Sequence, residues 1–405
     1  MNKLSRRMLW RWWPILAVTY AMAMMQRMSP ASLAPLLIAD YQVGWAQLGY
    51  FSSAYLFSYM VLQIPAGLAT DHFGPRKILL FSVLMSALGT GLMAIASSYK
   101  YLLLGRAVMA LGDAMVYSVL IKATATLAPK RHFPLLMSLG QVAGYIGVGL
   151  ATSPLLFLST RLGLTATFSL NTLILIVIAA LVVTCTSDIE VSKKRTASSI
   201  GSFSAQTHLL QICIPTFLAF GAYYTAYMTL FSSWGTVVFS KVYDLSVSDG
   251  ALIVLFGVLG LAVGGVLNGT ALSWMRSKVT PMLVAAILAL ILFGLLASLN
   301  SLSLFWEFSV IVTLIGLCFG GISNSITVNV QDRAPAEQLS LASALHAVTG
   351  NLLSGLLIPV LGGWMGADPA TARLTLLSTQ ILCIAIVFIV GIYLLVTKSK
   401  KLALG

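Results

Sequence analysis

Apolar segments long enough to cross a bilayer follow one another along nearly the whole of this chain, and no other property limits its fold as severely. A helix rises about 1.5 Å per residue, so roughly 20 apolar residues span the hydrocarbon core. Inside lipid every backbone polar group must be satisfied within a helix or a closed barrel. The runs here are continuously apolar rather than alternating, which points to helices. Of 405 residues only 9% are charged and 59% are hydrophobic, with a mean hydropathy of +0.94. We read twelve spans, near 12–38, 46–70, 76–97, 101–128, 133–158, 164–186, 209–238, 248–272, 280–299, 303–330, 338–365 and 371–397. The first follows a basic start but is too long for a cleaved leader, so it reads as a retained helix. Cys185, Cys213, Cys318 and Cys383 lie in or beside spans without disulfide or zinc spacing, and read as small packing hydrophobes.

Charge sets the orientation. Seventeen basic residues fall on one side of this pattern, among them Lys3, Arg6, Arg7, Arg11, Arg76, Lys77, Lys130, Arg131 and Lys193–Arg195. Four fall on the other: Lys100, Arg161, Lys241 and Arg373. Basic residues stay cytoplasmic, so both termini are expected inside, in a bacterial cytoplasmic membrane. The net charge of +13 is then a topology signal, and no nucleic-acid partner is expected. The one long polar stretch separates an N-terminal bundle, 1–186, from a C-terminal bundle, 209–405, through a cytoplasmic linker at 187–208. The halves resemble each other. An offset of 202 residues lays Tyr41 on Tyr243 and Gly67 on Gly269; an offset of 206 lays Ala128-Pro129 on Ala334-Pro335 and Gly144 on Gly350.

Between the second and third spans stands Gly67-Leu-Ala-Thr-Asp71-His-Phe-Gly74-Pro-Arg76-Lys77. Gly67, Gly74 and Pro75 permit a sharp turn at the membrane surface, and Asp71 beside Arg76 and Lys77 can pair charges at a helix end. This order resembles the loop joining the second and third helices of major facilitator superfamily transporters, with His72 where that family usually has Arg. The resemblance implies an all-α membrane protein of twelve helices in two pseudo-symmetric six-helix bundles, working by alternating access. These loop residues are gating candidates, Asp71 as a latch of the outward-open state. The counterpart after span 8 has Ser273 in place of Asp71.

Charges within the spans are costly, at least about 2.5–3.5 kcal/mol each, and functional by default. Arg27 lies roughly 22 Å along span 1 and Asp113 roughly 18 Å along the oppositely directed span 4, at similar depth. Arg27-Met-Ser-Pro30 with Ala34-Pro35, and Tyr55, Tyr59, Gln63, Pro65 and Gly67 in span 2, are similar to organic-anion and sugar-phosphate permeases. Arg106 with Asp113 two turns later resembles the span 4 pattern of the anion:cation symporters. That resemblance implies that Arg27 holds a substrate carboxylate or phosphate and that Asp113, with Arg106, serves proton coupling. Gln26 stands where many symporters have an acid, and Asp113 replaces a Glu. Gly112-Asp113-Ala114 with Lys122 also resembles a branch that includes dipeptide and lysosomal transporters. Physically, burial disfavours a charged carboxyl and a nearby Arg favours it. Substrate engaging Arg27 would therefore ease proton uptake at Asp113.

Further substrate-binding candidates are Gln26, Tyr55, Tyr59 and Tyr145, with Tyr223, Tyr224, Tyr227 and Trp234 of span 7. His346 reads as a packing histidine. Gly144-Tyr145 lacks the Gly-Pro pair that antiporters of the superfamily often carry in span 5, which disfavours drug efflux. No Gly-x-x-x-x-Gly-Lys-Ser/Thr loop is present, so ATP is not expected to drive the protein. Four scattered histidines and one clear midplane acid do not supply an enzyme's constellation, and no cofactor or metal is expected. The leading expectation is a monomeric, proton-coupled secondary transporter of a small organic anion or zwitterion, such as a carboxylate, amino acid or short peptide. The alternatives are a proton-driven exporter of a larger amphipathic compound such as a drug or siderophore, and a non-transporting sensor on the same fold.

Overall fold

A break at Ser29 shapes the first half of the molecule. In the computed structural model, which describes residues 3–129, 132–186, 203–275, 277–299, 305–333, 339–365 and 368–403, the chain runs as α1 (Lys3–Met28) and then α2 (Pro30–Tyr41). Pro30 has no N–H to give the carbonyl of Gln26, so the helix ladder lapses there. The Ser29 hydroxyl donates to that carbonyl instead, at 2.8 Å. The elements α3 (Trp45–Phe73), α4 (Pro75–Ala94), α5 (Tyr99–Leu127), α6 (Phe133–Leu150) and α7 (Ser153–Cys185) follow. Gly74, at φ 85°, and Pro75 make the turn from α3 into α4. At the α6–α7 break the carbonyls of Ala151 and Thr152 accept from the hydroxyl of Ser32 on α2, at 2.6 and 3.1 Å. Gly163, at φ 81°, interrupts α7 between the spans expected at 133–158 and 164–186, while the first of these is itself broken at Ala151 and Thr152.

The second half holds α8 (Phe203–Tyr227), a π-helical turn (Met228–Trp234), α9 (Gly235–Val242), α10 (Val247–Trp274), α11 (Thr280–Ser298), α12 (Phe305–Arg333), α13 (Leu339–Met365) and α14 (Pro369–Ala403). No strand occurs among the described residues. Eight helices among them are long and apolar enough to cross a membrane, including α4, α5, α7, α10, α11 and α12. The spans expected at 12–38 and 209–238 instead fall on interrupted helices, broken at Ser29 and at the π-turn.

The chain forms two compact units, one of 1–44 with 50–196 and one of 45–49 with 197–405. In the first, Trp12 and Leu16 of α1, Val83 of α4, Val119 and Leu120 of α5 and Val182 of α7 form one core cluster. Within it α4 and α5 lie backbone to backbone. A Cβ on Gly112 would come 2.5 Å from both the Ser82 carbonyl and the Ser86 hydroxyl, so only glycine allows this approach. In the second unit Phe293 of α11 and Phe308, Phe319 and Ile322 of α12 are fully buried, with Phe293 6.1 Å from the Phe319 ring. Gly144 and Gly350, equivalent in the internal repeat, each lie against an aromatic ring within their own unit, Tyr20 and Phe220.

Candidate functional site

The first unit collects its intramembrane charges around one face of α3. Phe51, Tyr55 and Tyr59 stand four residues apart and so share that face. The Arg27 guanidinium lies 4.5 Å from the Tyr59 ring centroid and 6.0 Å from that of Tyr55. The Arg106 guanidinium lies 4.6 Å from Phe51 and 4.8 Å from Tyr55. Cation–π contacts of this kind contribute about 0.5–1 kcal/mol each, and more where they are desolvated. Tyr55 thus stands between two cations and donates its hydroxyl to Asp113 Oδ2 at 3.0 Å. The Ser86 hydroxyl, admitted by Gly112, donates to Asp113 Oδ1 at 2.6 Å. The Gln26 amide completes the surround, with its nitrogen 3.0 and 2.8 Å from the two carboxylate oxygens when turned toward them. Asp113 is 3% exposed and Gln26 2%, while Arg27 is half-buried. A carboxylate can be held this deep because three donors satisfy it.

Arg106 is used differently from Arg27. Its Nη1 donates to the Gln26 carbonyl at 2.7 Å and to the Ser29 hydroxyl at 3.1 Å, and its Nη2 to the Arg27 carbonyl at 3.3 Å. These acceptors belong to the end of α1 that Pro30 leaves open, and a cation there also meets the negative end of the helix dipole. On the same side of α1, Tyr20 donates to Gln141 at 3.2 Å and lies 5.4 Å from the Tyr117 ring. Half-buried Tyr145 stands one turn beyond Gln141 on α6.

The candidates of the second unit form a separate group. Tyr223 and Tyr227 stack at 6.1 Å, Tyr224 lies 5.9 Å from Tyr227, and Phe231 continues the ladder at 5.8 Å. Trp234 is fully buried at the end of the π-turn. Fully buried Gln380 of α14 donates to the Ala226 carbonyl at 3.1 Å and the Thr229 hydroxyl at 2.7 Å, beside that turn. His346 packs on the Phe220 ring at 3.6 Å, and neither ring nitrogen has a hydrogen-bond partner. Of the gating candidates, a Cβ on Gly67 would meet nothing within 4 Å, Lys77 is exposed, and Arg76 donates to the Val183 carbonyl at 2.8 Å. The side chain of Asp71 lies outside the described residues, so the expected latch falls there too.

Sequence reasoning had brought Arg27, Gln26, Tyr55, Tyr59, Arg106 and Asp113 forward, and the structure gathers these six. It missed Ser86, Ser29, Phe51 and Asn171. Asn171 had a usable signal, the one amide side chain in its helix. Ser86 had none, because serines are common in such spans.

These features define a many-helix membrane protein with a buried, polar-satisfied carboxylate and two arginines in its first unit. The sequence profile of the Major Facilitator Superfamily matches residues 16–359, and the chain belongs to that superfamily of transporters. It is 20% identical to the probable galactarate/D-glucarate transporter GarP of Escherichia coli over 81% of this chain and 82% of the relative. A match to the probable sulfoacetate transporter SauU of Cupriavidus necator, at 28% identity, takes in 27% of this chain and only 25% of that protein. Among solved structures, the D-xylose-proton symporter superposes with a TM-score of 0.75 at 11% identity, covering 94% of this chain and 97% of the other.

Proposed function

We propose that this transporter moves a small organic anion or zwitterion by alternating access, with Arg27 binding the anionic group and Asp113 carrying the coupled proton. The observation that carries the reading is the shared surround of the two groups. Arg27 packs on the tyrosine whose hydroxyl holds Asp113, and Gln26, next to Arg27 in the chain, bridges to the same carboxylate. An anion drawing Arg27 away from this cluster removes positive charge from around Asp113 and favours its protonation. Proton and anion then bind with positive coupling. The names of GarP and SauU supply carboxylate and sulfonate chemistry that suits such a site. Tyr59, Tyr145 and Gln26 would complete the substrate surround in the first unit. Tyr223, Tyr224, Tyr227 and Trp234 would serve from the second, and Arg106 would tune the proton site by fixing α1.

The same reading includes twelve spans with both termini cytoplasmic, bundles at 1–186 and 209–405 joined by 187–208, and a monomer in a bacterial cytoplasmic membrane. Export of a larger amphipathic compound stands second, because a mostly apolar wall would serve it and needs no intramembrane arginine. The test is uptake of D-glucarate and sulfoacetate into proteoliposomes under an imposed pH gradient. Asp113→Asn should abolish gradient-driven uptake while sparing counterflow exchange, and Arg27→Ala should remove anion-dependent thermal stabilisation. Anion binding that ignores Arg27→Ala, or gradient-driven uptake that survives Asp113→Asn, removes the reading.

A further inference from the structure

We propose that the side-chain amides of Gln26 and Asn171 act as a two-position relay that reports the protonation state of Asp113 on α5 to α7. This rests on the reading of Asp113 as the proton site and adds Asn171 as a positioning residue. The geometry is a bridge. The end of the Gln26 side chain sits between the two oxygens of Asp113, at 3.0 and 2.8 Å, and the Asn171 amide, at 3.0 Å. Turned one way, the Gln26 nitrogen meets the carboxyl and its oxygen meets Asn171. Turned the other way, the nitrogen donates to Asn171 Oδ1 at 3.0 Å and the oxygen faces the carboxyl.

The two arrangements differ in what they can hold. An ionised carboxylate only accepts, so it takes the Gln26 nitrogen and leaves the Gln26 oxygen to accept from the Asn171 amino group. A protonated carboxyl carries an O–H that needs an acceptor. Tyr55 and Ser86 already act as donors to its two oxygens. The Gln26 oxygen supplies the acceptor, and the Gln26 nitrogen then donates to Asn171. The Asp113 carboxyl and the Gln26 amide are paired in each state, but only if both amides turn over together. The amide pair therefore has two low-energy settings, selected by one proton. A buried amide caught in the wrong setting would face like against like, donor to donor or acceptor to acceptor.

Among the described residues that meet the carboxyl, Gln26 is the amide, while Tyr55 and Ser86 bring hydroxyls that can also donate or accept. The charged and titratable groups that face it are Arg27 from α1, Tyr55 and Tyr59 from α3 and Arg106 from its own helix, while α4 and α7 contribute the neutral Ser86 and Asn171. The Ser86 hydroxyl also lies 3.4 Å from the Met109 carbonyl, so a rotation of Ser86 is the competing way to accept the proton. In the relay the signal leaves α5 through α1 and reaches α7, which Thr172 already joins to Thr90 of α4 at 2.9 Å. A Ser86 rotation would keep the signal between α4 and α5.

Infrared difference spectra between high and low pH test this on the full-length protein in lipid, with asparagine isotope-labelled at its side-chain carbonyl and the proton itself as probe. The expected result is an asparagine side-chain band that titrates with the Asp113 carboxyl band and is lost in Asn171→Leu. In Gln26→Met the carboxyl band should still titrate and the asparagine band should fall silent. An asparagine band that stays silent in the unsubstituted protein while the carboxyl titrates overturns the relay, as does one that persists in Gln26→Met. If Asp113→Asn removes no titrating carboxyl band, the proton-site reading itself fails, and the relay with it.

Discussion

Replacing Arg106 by Met separates two roles that its position on α5 permits. The side chain is 1% exposed, and its three donors go to the Gln26 and Arg27 carbonyls and the Ser29 hydroxyl. Met fills similar space but donates nothing. The Gln26 carbonyl keeps the Ser29 hydroxyl, whereas the Arg27 carbonyl loses a charged donor. At about 1–3 kcal/mol for each buried acceptor left short, the hydrogen bonds account for roughly 2–4 kcal/mol. Lost contact with Phe51 and Tyr55 adds about 1–2 kcal/mol. Relief from burying a guanidinium offsets a similar amount. The expected destabilisation is therefore about 2–4 kcal/mol, since the last two effects cancel to first order. For a unit of this size about 2–4 °C accompanies each kcal/mol, so the melting temperature should fall by about 4–16 °C. Thermal unfolding of purified protein in detergent, repeated across pH, is the assay. The fall should be larger where Asp113 is ionised than where it is protonated, because Arg106 also faces that carboxyl. An unchanged melting temperature accompanied by lost proton-driven uptake would refute the clamp and make Arg106 a proton-coupling residue.

Three further outcomes follow from single contacts. Gly112→Ala should destabilise by about 1–3 kcal/mol, because its Cβ would meet the Ser82 carbonyl and Ser86 hydroxyl at 2.5 Å, whereas Gly67→Ala should be neutral in the same melting assay. Gln380→Met should speed hydrogen exchange around Ala226–Trp234 relative to the rest of the second unit, since the donor to the Ala226 carbonyl and Thr229 is removed at a cost of about 1–3 kcal/mol. Asp368, which caps α14, accepts from the Thr371 backbone N–H and hydroxyl, both at 2.9 Å, and these bonds hold its carboxyl below the usual aspartate value. A value lower in the folded than in the unfolded chain gives stabilisation that is present above the unfolded value and lost as pH falls through the folded one. Protection against exchange at the first turn of α14, corrected for the intrinsic rate, should therefore fall in acid, and Asp368→Ala should be less protected at neutral pH with the difference closing in acid.

The order of the sequence carried much of the architecture. Apolar length needs no tertiary contact to act, because each span meets lipid on its own terms. Arg27 and Asp113 were conspicuous for the same reason: a charge inside an apolar run is costly wherever the helix packs. Pro30 carried a signal that the single span read over 12–38 passed over: its missing N–H frees the Gln26 carbonyl and breaks the helix at Ser29. The identity of the groups that answer these residues was not legible. Asp113 is held from α1, α3 and α4 by Gln26, Tyr55 and Ser86. The Gln26 carbonyl is held by Arg106, which stands 80 positions away in the chain. Each such partner is chosen by which helix faces lie together, and that depends on small side chains such as Gly112, whose effect appears only when two backbones meet. So the sequence by itself determined that this chain spans a membrane and hides a carboxylate and arginines within it. The tertiary structure alone decided that Arg106 closes the end of α1, and that an amide bridge links Asp113 to Asn171, because hydrogen bonds need distance and direction that spacing along a chain does not contain.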